Sequence, residues 1–103
     1  MKEHVYQLRL IRRLEKEFPG CVVIKNNPDY IQGLPDLLIL FQDRWAMLEV
    51  KISADAPNQA NQPYYVALFD TMSFAAFIYP ENEEEVIYEL QHTFCDNRST
   101  RVS

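Results

Sequence analysis

The sequence contains only two glycines and two cysteines, and it has no long uninterrupted apolar run. With so little glycine, its turns must rely on proline, asparagine and aspartate. Cys21 and Cys95 stand far apart, and no CxxC or Cys/His spacing suggests a zinc site, which favours a reduced, intracellular protein. No apolar stretch reaches the roughly 18 residues that a membrane helix needs. The opening MKEHVYQLRL also lacks the apolar core of a signal peptide. We therefore expect a cytoplasmic protein with no membrane segment.

The chain also lacks an excess of positive charge. Its formal net charge is −5 and its pI is about 4.9, which argues against a protein that holds nucleic acid through a general basic surface. A local basic strip is compatible with this balance, because clustered carboxylates lower the net charge by themselves. The best candidate strip projects outward from a predicted helix, with an ordinary solubilising surface as the alternative interpretation. Its members are Arg9, Arg12, Arg13 and Lys16.

What the sequence does contain is typical of one small globular domain. The 103 residues are 48% hydrophobic, 24% charged and 13% aromatic. A domain of this size buries roughly two-thirds of its unfolded surface, so a buried charge without a partner would be a serious cost to its stability. We expect one domain over residues 1–95, followed by a C-terminal tail over residues 96–103.

The order of predicted helices and strands, αβββαβα, indicates a mixed α/β domain. Ile11, Leu14 and Phe18 recur at three- and four-residue steps, which predicts a first helix that the Pro-Gly pair at 19–20 ends. Two apolar runs separated by a short polar break predict a β-hairpin, and Pro63 fits the first turn of a later helix. The predicted elements are helix 3–18, strands 21–25, 35–41 and 45–51, helix 63–72, strand 74–79 and helix 81–94.

Three charged residues lie at the ends of the two hairpin strands, within GLPDLLILFQDRWAMLEVK. With a two-residue turn at 42–43, Asp36 lies directly across from Glu49, and a small shift leaves the two as diagonal neighbours. Strand alternation places Glu49 and Lys51 on one face. The two carboxylates repel each other, and Lys51 neutralises only one of them. We therefore expect a divalent cation as their partner, held by carboxylates and water as Mg²⁺ usually is. A turn aspartate and a solvated strand face are the structural alternatives.

The first helix is apolar along most of its inward face but polar in its first two turns. Glu3 and Gln7 lie on that face, with His4 nearby. This pattern predicts a helix whose N-terminal end lines a polar cleft. Glu15, at the edge of the same arc, is a weaker rival for Glu3. A first-turn acid favoured by the helix dipole is the alternative interpretation of Glu3.

The motif Pro35-Asp36, followed on the next strand by Glu49-Val50-Lys51, resembles the signature of the PD-(D/E)xK nuclease superfamily. More narrowly, GLPDLLIL, then LEVK and a later glutamine, preceded by a helical glutamate, looks like the VRR-NUC branch, often found as small phage-encoded proteins. The resemblance covers residues 3–79. It implies an α/β fold with a small mixed sheet in αβββαβ order, a restriction-endonuclease-like core, to which this chain adds a C-terminal helix.

The resemblance also implies roles for residues of this sequence. Asp36, Glu49 and the Val50 carbonyl would hold Mg²⁺ or Mn²⁺, and Lys51 would position the attacking water. Glu3 would complete the acidic cluster, directly or through water.

A glutamine would orient groups around the metal or the DNA. Gln62 matches that slot by its spacing from the catalytic lysine, and Gln59 is the alternative. A plain helix cap or solvent-facing residue is the structural interpretation of Gln62.

The function that follows from the resemblance is a metal-dependent DNA endonuclease. A small domain without a separate sequence-reading module fits cleavage of branched or Holliday-junction DNA, and such a substrate leads us to expect a homodimer. The apolar strand 74–79 is a candidate interface. A phage-encoded member would act in the host-cell cytoplasm. Two alternatives stay open: a catalytically idle binding module or acidic inhibitor of a DNA-binding protein, and a nuclease directed at RNA.

Overall fold

The computed structural model describes residues 1–95, and the predicted tail at 96–103 lies outside the described residues. Each predicted element is present, with its ends within two residues of the expected positions. The elements are α1 (Glu3–Glu17), β1 (Val22–Lys25), β2 (Leu37–Phe41), β3 (Arg44–Val50), α2 (Gln62–Met72), β4 (Phe74–Ile78) and α3 (Glu83–Cys95).

The four strands form one mixed sheet in the order β1-β2-β3-β4. The first three strands pair antiparallel, and β4 joins β3 in parallel after the α2 crossover. The predicted hairpin register is confirmed, because Leu37 pairs with Leu48 and Phe41 pairs with Arg44 across a two-residue turn. This register carries the strand ends at 36 and 49 to opposite positions. The mixed α/β fold in the order αβββαβα is therefore confirmed.

The two faces of the sheet have different coverings. One face, here called the apolar face, packs against α1 and α3 and forms the core. The other, here called the α2 face, packs against α2, where Trp45 meets Phe69 with ring centroids 6.3 Å apart. Strand alternation puts Glu49 on the α2 face, while its neighbours Leu48 and Val50 lie on the apolar face. The strand residues of the apolar face that are fully buried are Leu37, Ile39, Ala46, Leu48, Val50 and Ile78.

Three phenylalanine rings close one end of the apolar core. Phe18 from the end of α1 packs edge-on against Phe94 of α3 at 5.1 Å between centroids, and it lies 5.8 Å from Phe41 of β2. Aromatic pairs at such distances add to the burial of their area. The chain reverses directly after Phe18 through Gly20, whose φ is +92°, so the Pro-Gly pair ends α1 as predicted.

Ion pairs join α1 to α3 at the surface, and they engage one residue of the predicted basic strip. Arg13 Nη1 lies 2.7 Å from Glu83 Oε2 and 2.5 Å from Glu84 Oε2. The Tyr6 hydroxyl donates to the other Glu83 oxygen at 2.8 Å. Arg13 is therefore a link between two helices and is not available to a phosphate in this conformation. Among the described residues, no helix is both long and apolar enough to cross a membrane.

Candidate active site

Asp36 occupies the position just before β2, where a short bond network holds it. Its Oδ2 accepts the Val50 N–H at 2.9 Å, and its main-chain carbonyl accepts the Asn26 N–H at 2.8 Å. The Asn26 side chain donates to the Pro35 carbonyl at 2.8 Å. Burial raises the pKa of Asp36, while the Val50 N–H, Lys51, a hydrogen bond with the Glu49 side chain and, more weakly, Lys25 act to lower it. The side chain is thus fixed across the hairpin, as the register predicts.

Glu49 is the most deeply buried charged residue described, with 2% of its surface exposed. Its Oε1 is buried and receives no hydrogen bond from any donor within residues 1–95. Burial, followed by the nearby Asp36 carboxylate, raises the pKa of Glu49 to about 8. A buried carboxylate oxygen without a donor is costly, and a cation at that oxygen would relieve both the desolvation and the repulsion.

Proline at position 35 removes one donor from the end of the hairpin ladder. Lys51 N–H donates to the Ile78 carbonyl on β4, so the main-chain groups of Val50, one residue earlier, are expected to face β2. If the hairpin register is extended two residues past its last pair, Leu37 with Leu48, Val50 falls opposite Pro35. Proline has no N–H to donate to the Val50 carbonyl. The Val50 N–H is satisfied by Asp36 instead, which explains why the Pro-Asp pair suits this position.

Lys51 is buried, with 6% exposed, and it is held by groups from the following loop and helix. Its Nζ donates to the Pro57 carbonyl at 3.0 Å and to Gln62 Oε1 at 2.6 Å. It lies 3.9 Å from Glu49 Oε2, which is too long for a hydrogen bond. Because an ammonium group has three N–H donors, one is left for a water or a phosphate oxygen in this arrangement.

Gln62, at the start of α2, joins the lysine to the glutamate. Its Nε2 donates to Glu49 Oε2 at 2.5 Å, and its Oε1 accepts from Lys51 and from the Gln59 N–H at 2.8 Å. Of the two candidate glutamines, Gln62 is therefore the one whose side chain enters the cluster. Gln59 contributes a main-chain N–H, and Pro57 contributes a carbonyl. Pro57 was not predicted, and Gln59 was considered only for its side chain, because main-chain donors and acceptors leave no mark on side-chain identity.

Glu3 stands at the N-terminal end of α1, near the cluster but exposed. Burial and the Asp36 charge raise the pKa of Glu3, and Lys51 lowers it, so the three groups interact electrostatically. Glu15 is exposed farther along α1, where its charge acts on Cys21, so the structure brings Glu3 and not Glu15 to the site. Across residues 1–95, no three His, Cys, Asp or Glu side chains group together so that they could hold a metal ion.

The chemistry of this donor set suits a hard divalent cation. Two carboxylates with raised pKa values, one of them carrying a buried oxygen without a donor, lie near the Val50 carbonyl, to which Pro35 offers no N–H. Mg²⁺ and Mn²⁺ favour oxygen ligands and keep several waters when few carboxylates are supplied. Asp36, Glu49 and the Val50 carbonyl fit such an ion, with water filling the rest of its shell.

The fold of this chain is similar to that of a solved structure. The chain matches no family model and no curated protein sequence. It is similar to the 1.6 Å structure of Archaeoglobus fulgidus Hjc, a Holliday junction resolvase from an archaeal hyperthermophile, with a TM-score of 0.51 and 18% sequence identity. The likeness covers 74% of this chain and 67% of that chain. At this identity it shows a shared architecture, so the expected nuclease-like fold is confirmed: the chain has the mixed α/β fold of that resolvase.

Proposed function

We propose that this protein is a divalent-metal-dependent endonuclease that hydrolyses DNA phosphodiesters, with a preference for branched or Holliday-junction DNA. The observation that carries the proposal is the buried cluster of Asp36, Glu49 and Lys51, in which Glu49 Oε1 has no donor among residues 1–95. Three clustered charges at the end of a small core are costly. A phosphodiester-hydrolysing site gives them a use.

The metal-binding residues in this proposal are Asp36, Glu49 and the Val50 carbonyl, with Glu3 acting through water. When bound, Mg²⁺ or Mn²⁺ would stabilise negative charge on the phosphate and favour hydroxide as the nucleophile. The protein's own contribution is to hold these oxygens in place. Hydrogen bonding of Asp36 to Val50 N–H fixes one carboxylate, and the Gln62 amide fixes the other.

Lys51 would position the attacking water and stabilise charge that develops on the phosphate oxygens. Its carbon chain is buried, and two of its N–H donors are used by Pro57 and Gln62. The remaining donor is therefore held in one direction and needs no reorganisation during the reaction. Gln62 is a positioning residue in this account, because it contacts the lysine and the glutamate and not the reacting phosphate.

The branched substrate is supported by the fold shared with a Holliday junction resolvase. We further propose a VRR-NUC-like, phage-type protein that acts in the cytoplasm as a homodimer, since a junction offers two symmetry-related strands. Light scattering after size-exclusion chromatography tests the dimer, and a monomer at working concentrations would rule it out.

The proposal is tested by incubating the protein with Mg²⁺ or Mn²⁺ and labelled single-stranded, duplex, flap and four-way-junction DNA, with a matched RNA duplex. Metal-dependent cutting is expected, and Lys51→Ala should lower it by about 100- to 1,000-fold, the size of effect seen when one charge-stabilising donor is removed. Glu89→Ala, on the exposed surface of α3, is the control and should cut normally.

Thermal unfolding gives a readout that does not depend on the choice of substrate. Mg²⁺ or Mn²⁺ should raise the melting temperature of the wild type by mass action, and Asp36→Ala should lose that gain. Junction binding without cutting would favour the idle binding module. If the protein does not bind junctions and metal does not change its melting temperature, the acidic-inhibitor alternative is favoured, in keeping with the net charge of −5. If the protein cuts RNA and no DNA, its substrate is RNA.

A further inference from the structure

The loop before β2 and the loop before α2 meet beside the charged cluster, at Gly33. Gly33 has φ +91°, and a Cβ built there would lie 2.6 Å from Asn61 Cβ, 2.8 Å from the Asn61 carbonyl carbon and 2.9 Å from the Ala60 oxygen. Contacts below 3.0 Å are essentially never seen for a real Cβ. Two of the three atoms are main-chain atoms that cannot rotate away. Any residue with a side chain at position 33 would therefore push the two loops apart.

The loop on the other side of this contact leads directly into the site. Asn61 is the residue before α2 and has φ +71°, a left-handed conformation that asparagine tolerates better than most residues. Its carbonyl accepts the Tyr65 N–H at 3.1 Å, which ties it to the first turn of the helix. The next residue is Gln62, the bridge between Lys51 and Glu49. A displacement of Asn61 would therefore move the main chain that carries this bridge.

We infer that Gly33 is a positioning residue: its close contact with Asn61 sets the start of α2 so that Gln62 reaches Lys51 and Glu49 together. The inference deepens the proposed function and rests on it for its catalytic consequence. It also gives position 33 a role distinct from a simple turn. Gly33 stands three residues before Asp36, so one short segment leads to the carboxylate just before β2 and, through Asn61, sets the glutamine that holds the lysine.

Gly20 provides a matched control for the backbone. Its φ of +92° is nearly the same as that of Gly33, but a Cβ at Gly20 would meet nothing within 4 Å. Alanine at either position therefore introduces the same unfavourable left-handed backbone conformation. Only Gly33→Ala adds the collision with Asn61, so the difference between Gly33→Ala and Gly20→Ala isolates the contact.

The experiment compares these two variants for junction cleavage and for the side-chain amide resonances of Gln62 in metal-free, ¹⁵N-labelled protein. Gly33→Ala should lower kcat by about tenfold or more relative to Gly20→Ala, since a misplacement of about 1 Å can cost about 100-fold. KM should change much less. The Gln62 resonances should shift in Gly33→Ala and keep their wild-type positions in Gly20→Ala.

Rescue by a second substitution separates positioning from general damage. Gly33→Ala combined with Asn61→Gly removes the 2.6 Å contact and the side chain that is held at positive φ, while the two main-chain contacts stay. Only part of the lost kcat and of the wild-type Gln62 signal should therefore return. If Gly33→Ala does not fold but Gly20→Ala and the double variant do, the contact is confirmed.

Two outcomes would overturn the inference. One is equal kcat and equal Gln62 resonances in Gly33→Ala and Gly20→Ala. The other is failure of both Gly33→Ala and the double variant to fold while Gly20→Ala folds, which would make the contact a requirement of folding alone. A wild type that cuts no nucleic acid would refute the proposed function, whereas the Gln62 resonances would still report on the contact itself.

Discussion

The apolar face and the α2 face of the sheet are built from the same strands but differ in the free energy of burying their side chains. On β3, Leu48 and Val50 enter a core of aliphatic and aromatic groups, while Glu49, between them, is buried at 2% exposure in a network of hydrogen bonds. One residue of chain separates a favourable burial from an unfavourable one. The apolar face can therefore hold the strand rigid while the α2 face carries the charges.

The largest expected effect on stability comes from damage to the apolar face. Phe18→Ala should lower the free energy of unfolding by about 3–5 kcal/mol, because it empties the centre of a packed three-ring cluster. Urea unfolding measures the change. Tyr88→Ala is the control, since Tyr88 is 61% exposed and its loss should change stability by less than about 0.5 kcal/mol. A loss below about 1 kcal/mol for Phe18→Ala would contradict the packed core.

An effect that approaches this size should follow pH on the α2 face. The pKa of Glu49 is about 8 in the folded protein against a reference value of 4.5, so the folded state binds more protons than the unfolded state between these values. Stability of the metal-free protein should therefore fall as pH rises from about 5 to about 8, by up to about 1.4 kcal/mol per pH unit. Urea unfolding across this range is the measurement.

Two matched variants test whether Glu49 causes the pH dependence of stability. Glu49→Gln cannot titrate and should flatten the pH profile, whereas Glu89→Gln, on the exposed surface of α3, should leave it unchanged. Mn²⁺ should restore stability at the alkaline end, because the ion binds the deprotonated carboxylate. A wild-type profile as flat as that of Glu49→Gln would show that Glu49 is not responsible for the dependence.

The smallest effect is expected at the surface that joins α1 and α3. Arg13→Gln removes ion pairs with Glu83 and Glu84, and it should lower stability by less than about 1 kcal/mol because the groups are partly exposed to water. The Arg13 guanidinium lowers the pKa of Glu84, so that carboxyl should titrate nearer its ordinary range in the variant. Arg12→Gln, at an exposed position of α1, is the control. A loss above about 2 kcal/mol would mean that these pairs carry the helix packing.

Local patterns were sufficient for the elements and for the hairpin. Three- and four-residue apolar spacing, the Pro-Gly stop and a short polar break each act over a few residues, so α1 and the β2–β3 register could be predicted. The same register brought Asp36 opposite Glu49, because pairing across a hairpin depends on turn length alone. Helical periodicity placed Glu3 at a polar cleft, but only the family resemblance joined Glu3 and Gln62 to this cluster, since their distance from the hairpin in sequence gives no geometric restraint.

Other parts of the site could not be predicted because they depend on main-chain atoms. The Pro57 carbonyl and the Gln59 N–H that hold Lys51 and Gln62 have no signature in residue type. The role of Arg13 was misjudged for a related reason. A helical wheel shows that a side chain points outward, but it does not show that Glu83 and Glu84 of a later helix will lie there.

The sequence by itself determined the order of helices and strands, the hairpin register and the three charged residues at its end, because these follow from periodicity and turn length. Tertiary structure decided which glutamine joins the cluster, which glutamate lies near it, and how deeply Glu49 is buried. It also decided that Gly33 touches Asn61, two residues that local rules cannot relate. The physical reason is that burial and close contact arise only when separate segments pack together, and no short window of sequence contains both partners.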